Sequence, residues 1–212
     1  MVYAMNLRIP QHSTCRHGQC TQTRRTAVRR TAAGFTLIEM MVTLIIAAIL
    51  LTVAGPAFRD LILNNRLVAA SNSIAGSLNA ARTEAITQQQ MVIVCSSANG
   101  SACDGTWSDG WITFIDVDAN GTVDAGDTVL RWTQPAVEVS LRFVGASKVR
   151  YNSQGFVLPN SAGDFVFCDS RGANHAKAVI VTATGRVSVA TDTNSPSDGI
   201  VNGGGGVNVS CS

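Results

Sequence analysis

Twenty residues, Phe35 to Ala54, read FTLIEMMVTLIIAAILLTVA and carry a single charge, Glu39. A helix of that length rises roughly 30 Å, the thickness of a bilayer's hydrocarbon core. It is apolar all round rather than along one stripe, so it needs lipid, or other helices of its own kind, as a partner. The flank before it, RRTAVRR, is basic, and residues 1–34 hold Arg8, Arg16, Arg24, Arg25, Arg29 and Arg30 with no acid. The positive-inside tendency then leaves the N-terminal side in the cytoplasm and sends the chain beyond Ala54 across the membrane. A secretory signal peptide fits poorly, because the run exceeds the usual apolar region and no clean A-x-A site comes after it. An ordinary signal anchor accounts for the length.

Glu39 is the residue that neither of those readings uses. A carboxylate in the apolar core of a helix is costly and rare unless a partner or a function offsets it. The plain explanation is a side chain snorkelling to the cytoplasmic interface one turn away. The order Gly34-Phe35-Thr36-Leu37-Ile38-Glu39 after a basic leader, however, resembles the type IV prepilin processing site. The resemblance implies that prepilin peptidase cuts after Gly34 on the cytoplasmic side, that Phe35 becomes the methylated N-terminus, and that Glu39 serves in assembly. Cleavage creates an ammonium group at Phe35, which the Glu39 carboxylate of a neighbouring subunit can pair with inside a filament. A leader of residues 1–34 is long for that family. Translation starting at Val28, which heads VRRTAAG, gives a short basic leader and turns the His12, Cys15, His17, Cys20 pattern into a gene-calling artefact rather than a zinc site.

Past the apolar run the period changes. Leu61, Ile62, Leu67, Val68, Ile74, Leu78, Ala81, Ala85 and Ile86 recur at helical spacing among polar residues such as Arg59, Asn65, Arg66, Asn72 and Glu84. This predicts one helix over about residues 36–89, interrupted at Pro56 and roughly 80 Å long by its rise, whose second half lays one face on a core. From Met91 the language is β. MVIVC, GWITFID, TVLRW, EVSLRFV, KVRYN, GFVL, DFVFC, KAVIVTAT and GRVSVA are short Val-, Ile-, Phe- and Thr-rich runs between Gly, Asn, Ser and Asp. The expected class is α+β: a long N-terminal helix packed on antiparallel sheets, with two sheets stacked as a sandwich. The expected parts are a leader over 1–34, a transmembrane half of the helix over 35–54, an amphipathic half over 55–90 and a periplasmic β domain over 91–212.

Cys95, Cys103, Cys168 and Cys211 fall in the β region, in a disulfide-permitting compartment if that region lies across the membrane. Three pairings are open in principle. The pairing expected here is Cys95–Cys103, closing a short loop, and Cys168–Cys211, pinning a Gly/Ser/Asn-rich tail. Loop closure contributes about 2.5 kcal/mol for the first and about 4 for the second as upper figures. Four-thiolate metal binding is the rival, without any C-x-x-C spacing behind it.

The order CSSANGSACDGTWSDGWITFIDVDANGTVDAGDTVLR, then FCDSRG, then a strand and TGRVSV, resembles minor pilins of the GspH/FimT type. That family comprises pseudopilin H of type II secretion and fimbrial biogenesis proteins of type IV pili. It implies a non-enzymatic subunit that primes or caps a filament, with other pilins, prepilin peptidase and the inner membrane as partners and no cofactor.

Three candidate sites lie in the β region. Asp116, Asp118, Asn120, Gly121, Asp124 and Asp127 match the spacing of a calcium loop, with Asp in place of a bidentate Glu. Against calcium, the flanks read as strands, and Asx residues also build ordinary polar turns.

The second candidate is a basic face. The formal net charge of +2 hides a segregation: residues 95–127 hold six Asp and no base, whereas residues 128–190 hold Arg131, Arg142, Lys148, Arg150, Arg171, Lys177 and Arg186 against three acids. Some members of the FimT branch act as DNA receptors in natural transformation through a Gly-Arg-x-Arg segment. Here Gly185-Arg186-Val187-Ser188 lacks the second arginine, and non-specific affinity depends on the number of phosphates neutralised. Arg171, Lys177 and Arg186 are the residues such a receptor would use. The bulk of the chain is not a strongly basic nucleic-acid binder.

The third candidate is catalysis by His175 with Asp169 and Ser170. His175 is the sole histidine after residue 34, which excludes a multi-His metal site there, and no nucleophile motif surrounds it. A second alternative in function is a membrane-anchored periplasmic domain unrelated to filaments.

Overall fold

The computed structural model describes residues 34–135 and 138–211. The leader, including Val28 and the His12, Cys15, His17, Cys20 pattern, lies outside the described residues. The chain divides into two compact units between Ile49 and Leu50. The helix α1 spans Leu37–Gln88 and runs through Pro56 without ending. It stops where Gln89 takes a left-handed conformation, φ 56°, and β1 begins at Met91.

In the first unit every described side chain from Phe35 to Ile49 is exposed, Leu37 and Phe35 most of all at 80% and 74%. The helix is long and apolar enough to cross a membrane, and none of its apolar window is buried within the chain.

In the second unit Leu63, Leu67, Ala70, Ile74, Leu78, Ala81 and Ala85 are buried, a spacing of three and four that forms one narrow stripe. Leu61, Ile62, Val68 and Ile86, read from the sequence as part of that face, are exposed. Ile62, Val68 and Ile86 each adjoin a stripe residue, about 100° around the helix, and Leu61 lies two residues from Leu63, so apolarity alone placed the face too wide. Ser71 and Ser77 are buried instead, Ser77 Oγ accepting the Trp111 indole N–H at 2.9 Å.

Among the described residues eight strands come next: β1 Met91–Ser96, β2 Trp111–Asp116, β3 Thr128–Thr133, β4 Ser140–Val144, β5 Lys148–Tyr151, β6 Gly163–Cys168, β7 Lys177–Val181 and β8 Val187–Val189. They form two antiparallel sheets, β3-β2-β1-β5 and β4-β6-β7-β8. The chain is thus α+β, a long N-terminal helix packed on antiparallel sheets. GFVL is not a strand: Asn152 Oδ1 accepts the N–H groups of Gln154 and Phe156, Gly155 sits at φ 79°, and the segment is tied down by an isolated bridge, Tyr151 to Val157, and by bonds from the Val157 and Leu158 N–H groups to the Ala183 and Arg150 carbonyls.

The alternation of β1 explains why its sequence is apolar throughout. Val92 and Val94 join the helix stripe, Trp111, Tyr151, Phe165 and Phe167 in the main core. Ile93 and Cys95 point the other way, where they pack with Ile112 and Phe114 beneath Cys103 and Val123. The outer face of the second sheet is covered in the same fashion, Val166, Cys168, Ala178 and Ala190 lying under Val209, Ile200 and Val201 of the C-terminal tail. Two disulfides hold these covers, Cys95–Cys103 with Cα atoms 5.5 Å apart and Cys168–Cys211 with Cα atoms 5.8 Å apart.

Candidate functional site

Gly34, Phe35 and Thr36 precede α1, and all are exposed. Thr36 Oγ1 accepts the N–H of Glu39 at 3.3 Å, so Thr36 caps the helix and Glu39 lies in its first turn. The sequence Thr-x-x-Glu is the form of a capping box, a signal that the residues themselves carry and that the processing motif overshadows. An acid in the first turn also complements the helix dipole, which gives Glu39 a local role beside the one read from the motif.

The acidic loop lies between β2, which ends on Asp116, and β3, which begins at Thr128. One carboxylate oxygen each from Asp116, Asp118 and Asp127 lie within 4.8 Å of one another. Asp116 is 1% exposed; its Oδ2 accepts the Gly121 N–H at 2.9 Å, and its Oδ1 is buried with no hydrogen-bond partner. Burial pushes the Asp116 carboxyl above its ordinary value, and the charges of Asp127 and Asp118 add to the rise while the Gly121 N–H opposes it. Asp127 accepts the N–H groups of Val117 and Asp124. Asp124, counted with the others in the sequence, stands outside this group. Its oxygens are taken by the Gly126 N–H and the Asn120 amide, which hold its carboxyl below the ordinary value. Asn120 turns its amide nitrogen, not its oxygen, toward Asp118 and Asp124.

The family "Type II transport protein GspH" matches residues 70–185, more than half of the chain, and the "Prokaryotic N-terminal methylation motif" matches residues 29–55. The chain belongs to the GspH family. Among solved structures it is similar to the type IV minor pilin FimU of Pseudomonas aeruginosa, at 19% identity over 61% of this chain and 92% of that one, with a TM-score of 0.49. It is also similar to the minor pseudopilin EpsH of the Vibrio cholerae type 2 secretion system, at 13% identity over 61% of this chain and 99% of that one, with a TM-score of 0.42. Among curated proteins none matches.

The three cations read as a nucleic-acid face are not alike. Arg171 is an internal strut. Its Nη2 reaches Asp169 Oδ2 at 2.6 Å and Asn64 Oδ1 at 3.0 Å, and its Nε bonds both Asp169 oxygens. Its side chain is 13% exposed and that of Asp169 1%, so the guanidinium ties the loop after β6 to α1 rather than facing solvent. The Arg171 guanidinium holds the Asp169 carboxyl below its ordinary value, and both Asp169 oxygens are engaged by it, so the Asp169, Ser170, His175 group lacks a free orienting acid. Lys177 is half-buried on β7, and Arg186 is exposed.

Gly185, beside Arg186, has a structural task that the sequence reading missed. Arg82 of α1 donates from Nε to the Gly155 carbonyl at 3.0 Å and from Nη2 to the Thr184 carbonyl at 3.3 Å. Gly185 sits at φ 78°, and a methyl there would overlap the Gly155 carbonyl oxygen. Two turns and the helix therefore meet with no room for a side chain. The helical register of Arg82 next to the buried Ala81 and Ala85 was the available hint.

Proposed function

We propose that this GspH-family chain is a minor pilin or pseudopilin, a structural subunit that takes part in priming or capping a type IV pilus or a type II secretion pseudopilus. In this reading residues 1–34 are a leader that prepilin peptidase removes after Gly34, and Phe35 becomes the methylated N-terminus. Residues 35–54 hold the subunit in the inner membrane before assembly and pack among the helices of other pilins afterwards. Residues 55–90 carry the β domain, 91–212, on the periplasmic side. The observation that carries the proposal is the coincidence of the methylation motif over 29–55 with a helical segment, 37–51, whose large apolar side chains are exposed among the described residues. A surface of that kind is stable in lipid or against similar helices, not in water. In this reading the Glu39 carboxylate, which lies in the first helical turn, pairs with the new ammonium group of a neighbouring Phe35.

The test is intact mass and N-terminal peptide mapping of the protein from native membranes. The expected species begins at Phe35 and carries one methyl group. A mature chain that begins upstream of Gly34 would overturn the reading in favour of a membrane-anchored domain without a filament role.

A further inference from the structure

Asp116 is the one buried carboxylate in the chain that has an oxygen with nothing to bond, among the described residues. Leaving such an atom unpartnered is expensive. An ionised oxygen there lacks a donor, and the groups beside it are themselves carboxylates. Two further carboxylates stand at the same place, and their oxygens with that of Asp116 fall within 4.8 Å of one another. Calcium binds oxygens at about 2.3–2.6 Å, so two ligands on opposite sides of one ion lie about 5 Å apart, and the observed cluster is the size of a single coordination shell.

We propose that the β2–β3 loop is a calcium site, with Asp116, Asp118 and Asp127 as its carboxylate ligands. The division of labour within Asp116 supports this. Oδ2 is fixed by the Gly121 N–H, which sets the orientation of the carboxylate and leaves Oδ1 as the buried ligand atom. Among the described residues no side-chain cation performs the neutralisation instead. Lys148, the base next to the loop, spends its ammonium on the Gly121 carbonyl, and none of the ion pairs among the described residues involves these aspartates. The ligand chemistry is all-oxygen and anionic, which suits a hard cation. The set is irregular and drawn from a loop, which suits calcium with its loose geometry better than magnesium with its strict octahedron. Val123, midway round the same loop, packs on Ile93, Ile112 and Phe114. An ion at the mouth of the loop therefore braces a cover of the outer core as well as the hairpin. The site is independent of the processing and assembly reading and stands if that reading fails.

The experiment uses the full chain in detergent micelles, stripped with a chelator and then titrated with calcium chloride by calorimetry, with magnesium chloride in parallel. The expected result is one calcium per chain with a Kd of about 10⁻⁴ to 10⁻³ M, the range of extracellular modules, and a rise of the unfolding temperature with calcium alone. Asp116→Asn should remove saturable binding. Asp118→Asn changes an exposed residue and should weaken binding ~10-fold or more, because affinity follows ligand charge. Absence of saturable binding in the wild type overturns the proposal. So does an equal response to magnesium, or an Asp118→Asn protein that binds calcium as the wild type does.

Discussion

Two stretches of one helix, residues 37–51 and 63–85, are both rich in apolar side chains and meet opposite fates. In the first, Leu37, Ile38, Met40, Met41, Leu44, Ile45, Ile46, Ile49, Leu50 and Leu51 are all more than half exposed. In the second, Leu67, Ile74, Leu78, Ala81 and Ala85 are fully buried, and the side chains between them are polar or small. The difference lies in the pattern, not the amount, of hydrophobicity. A stripe of one residue per turn matches the width of a sheet surface, whereas an apolar surface all round matches only an apolar solvent. Among the described residues the first stretch thus stays exposed, whereas the second is stabilised by the chain's own strands.

Substitutions can break or sharpen that contrast. The largest effect is expected for Leu78→Ala, which opens a cavity in the main core and should cost about 2–5 kcal/mol in denaturant unfolding followed by tryptophan fluorescence. Arg171→Ala comes next, at about 2 kcal/mol, because charge-assisted bonds from the loop to Asn64 and to Asp169 are lost together. The same pair predicts a pH dependence. Asp169 has its folded-state carboxyl held below the ordinary value by Arg171, so its contribution is complete above the unfolded pKa of about 3.9 and is lost as pH falls through the lower folded value. The unfolding temperature measured from pH 7 down to pH 3 should therefore fall less steeply below pH 4 in Arg171→Ala than in the wild type. The smallest effect is expected for Ile46→Ala, within about 0.5 kcal/mol for unfolding of the β domain, since Ile46 touches no core. A loss comparable to that of Leu78→Ala at Ile46 would remove the distinction between the two stretches.

The same contrast separates what the sequence makes legible from what it does not. Periodicity and composition are local, and they are enough to place the helix to within a residue at each end and to mark eight of nine β runs as strands. The face of the helix is a different matter. Leu63 and Ala70 are buried while Leu61 and Val68 are exposed, a choice fixed by how the helix packs on the rest of the fold, and that is long-range information. GFVL reads as strand by composition, but the Asn152 side chain captures the backbone groups that a ladder would need. In the acidic loop the spacing of Asp116, Asp118 and Asp127 is readable, whereas the buried, unpartnered oxygen of Asp116 is a product of the fold. Arg171 looks like any other cation in a tally of charges until Asp169, two residues away, and Asn64, a helix away, are seen to hold it.

The crossing of the Gly155 and Gly185 turns under Arg82 carries a consequence for how relatives of this chain are compared. Because a methyl at Gly185 would collide with the Gly155 carbonyl oxygen, that glycine is kept by packing, whatever the domain binds. Its presence in a Gly-Arg-x-Arg alignment is then silent about nucleic acid. The informative columns are those after it, above all the exposed Arg186.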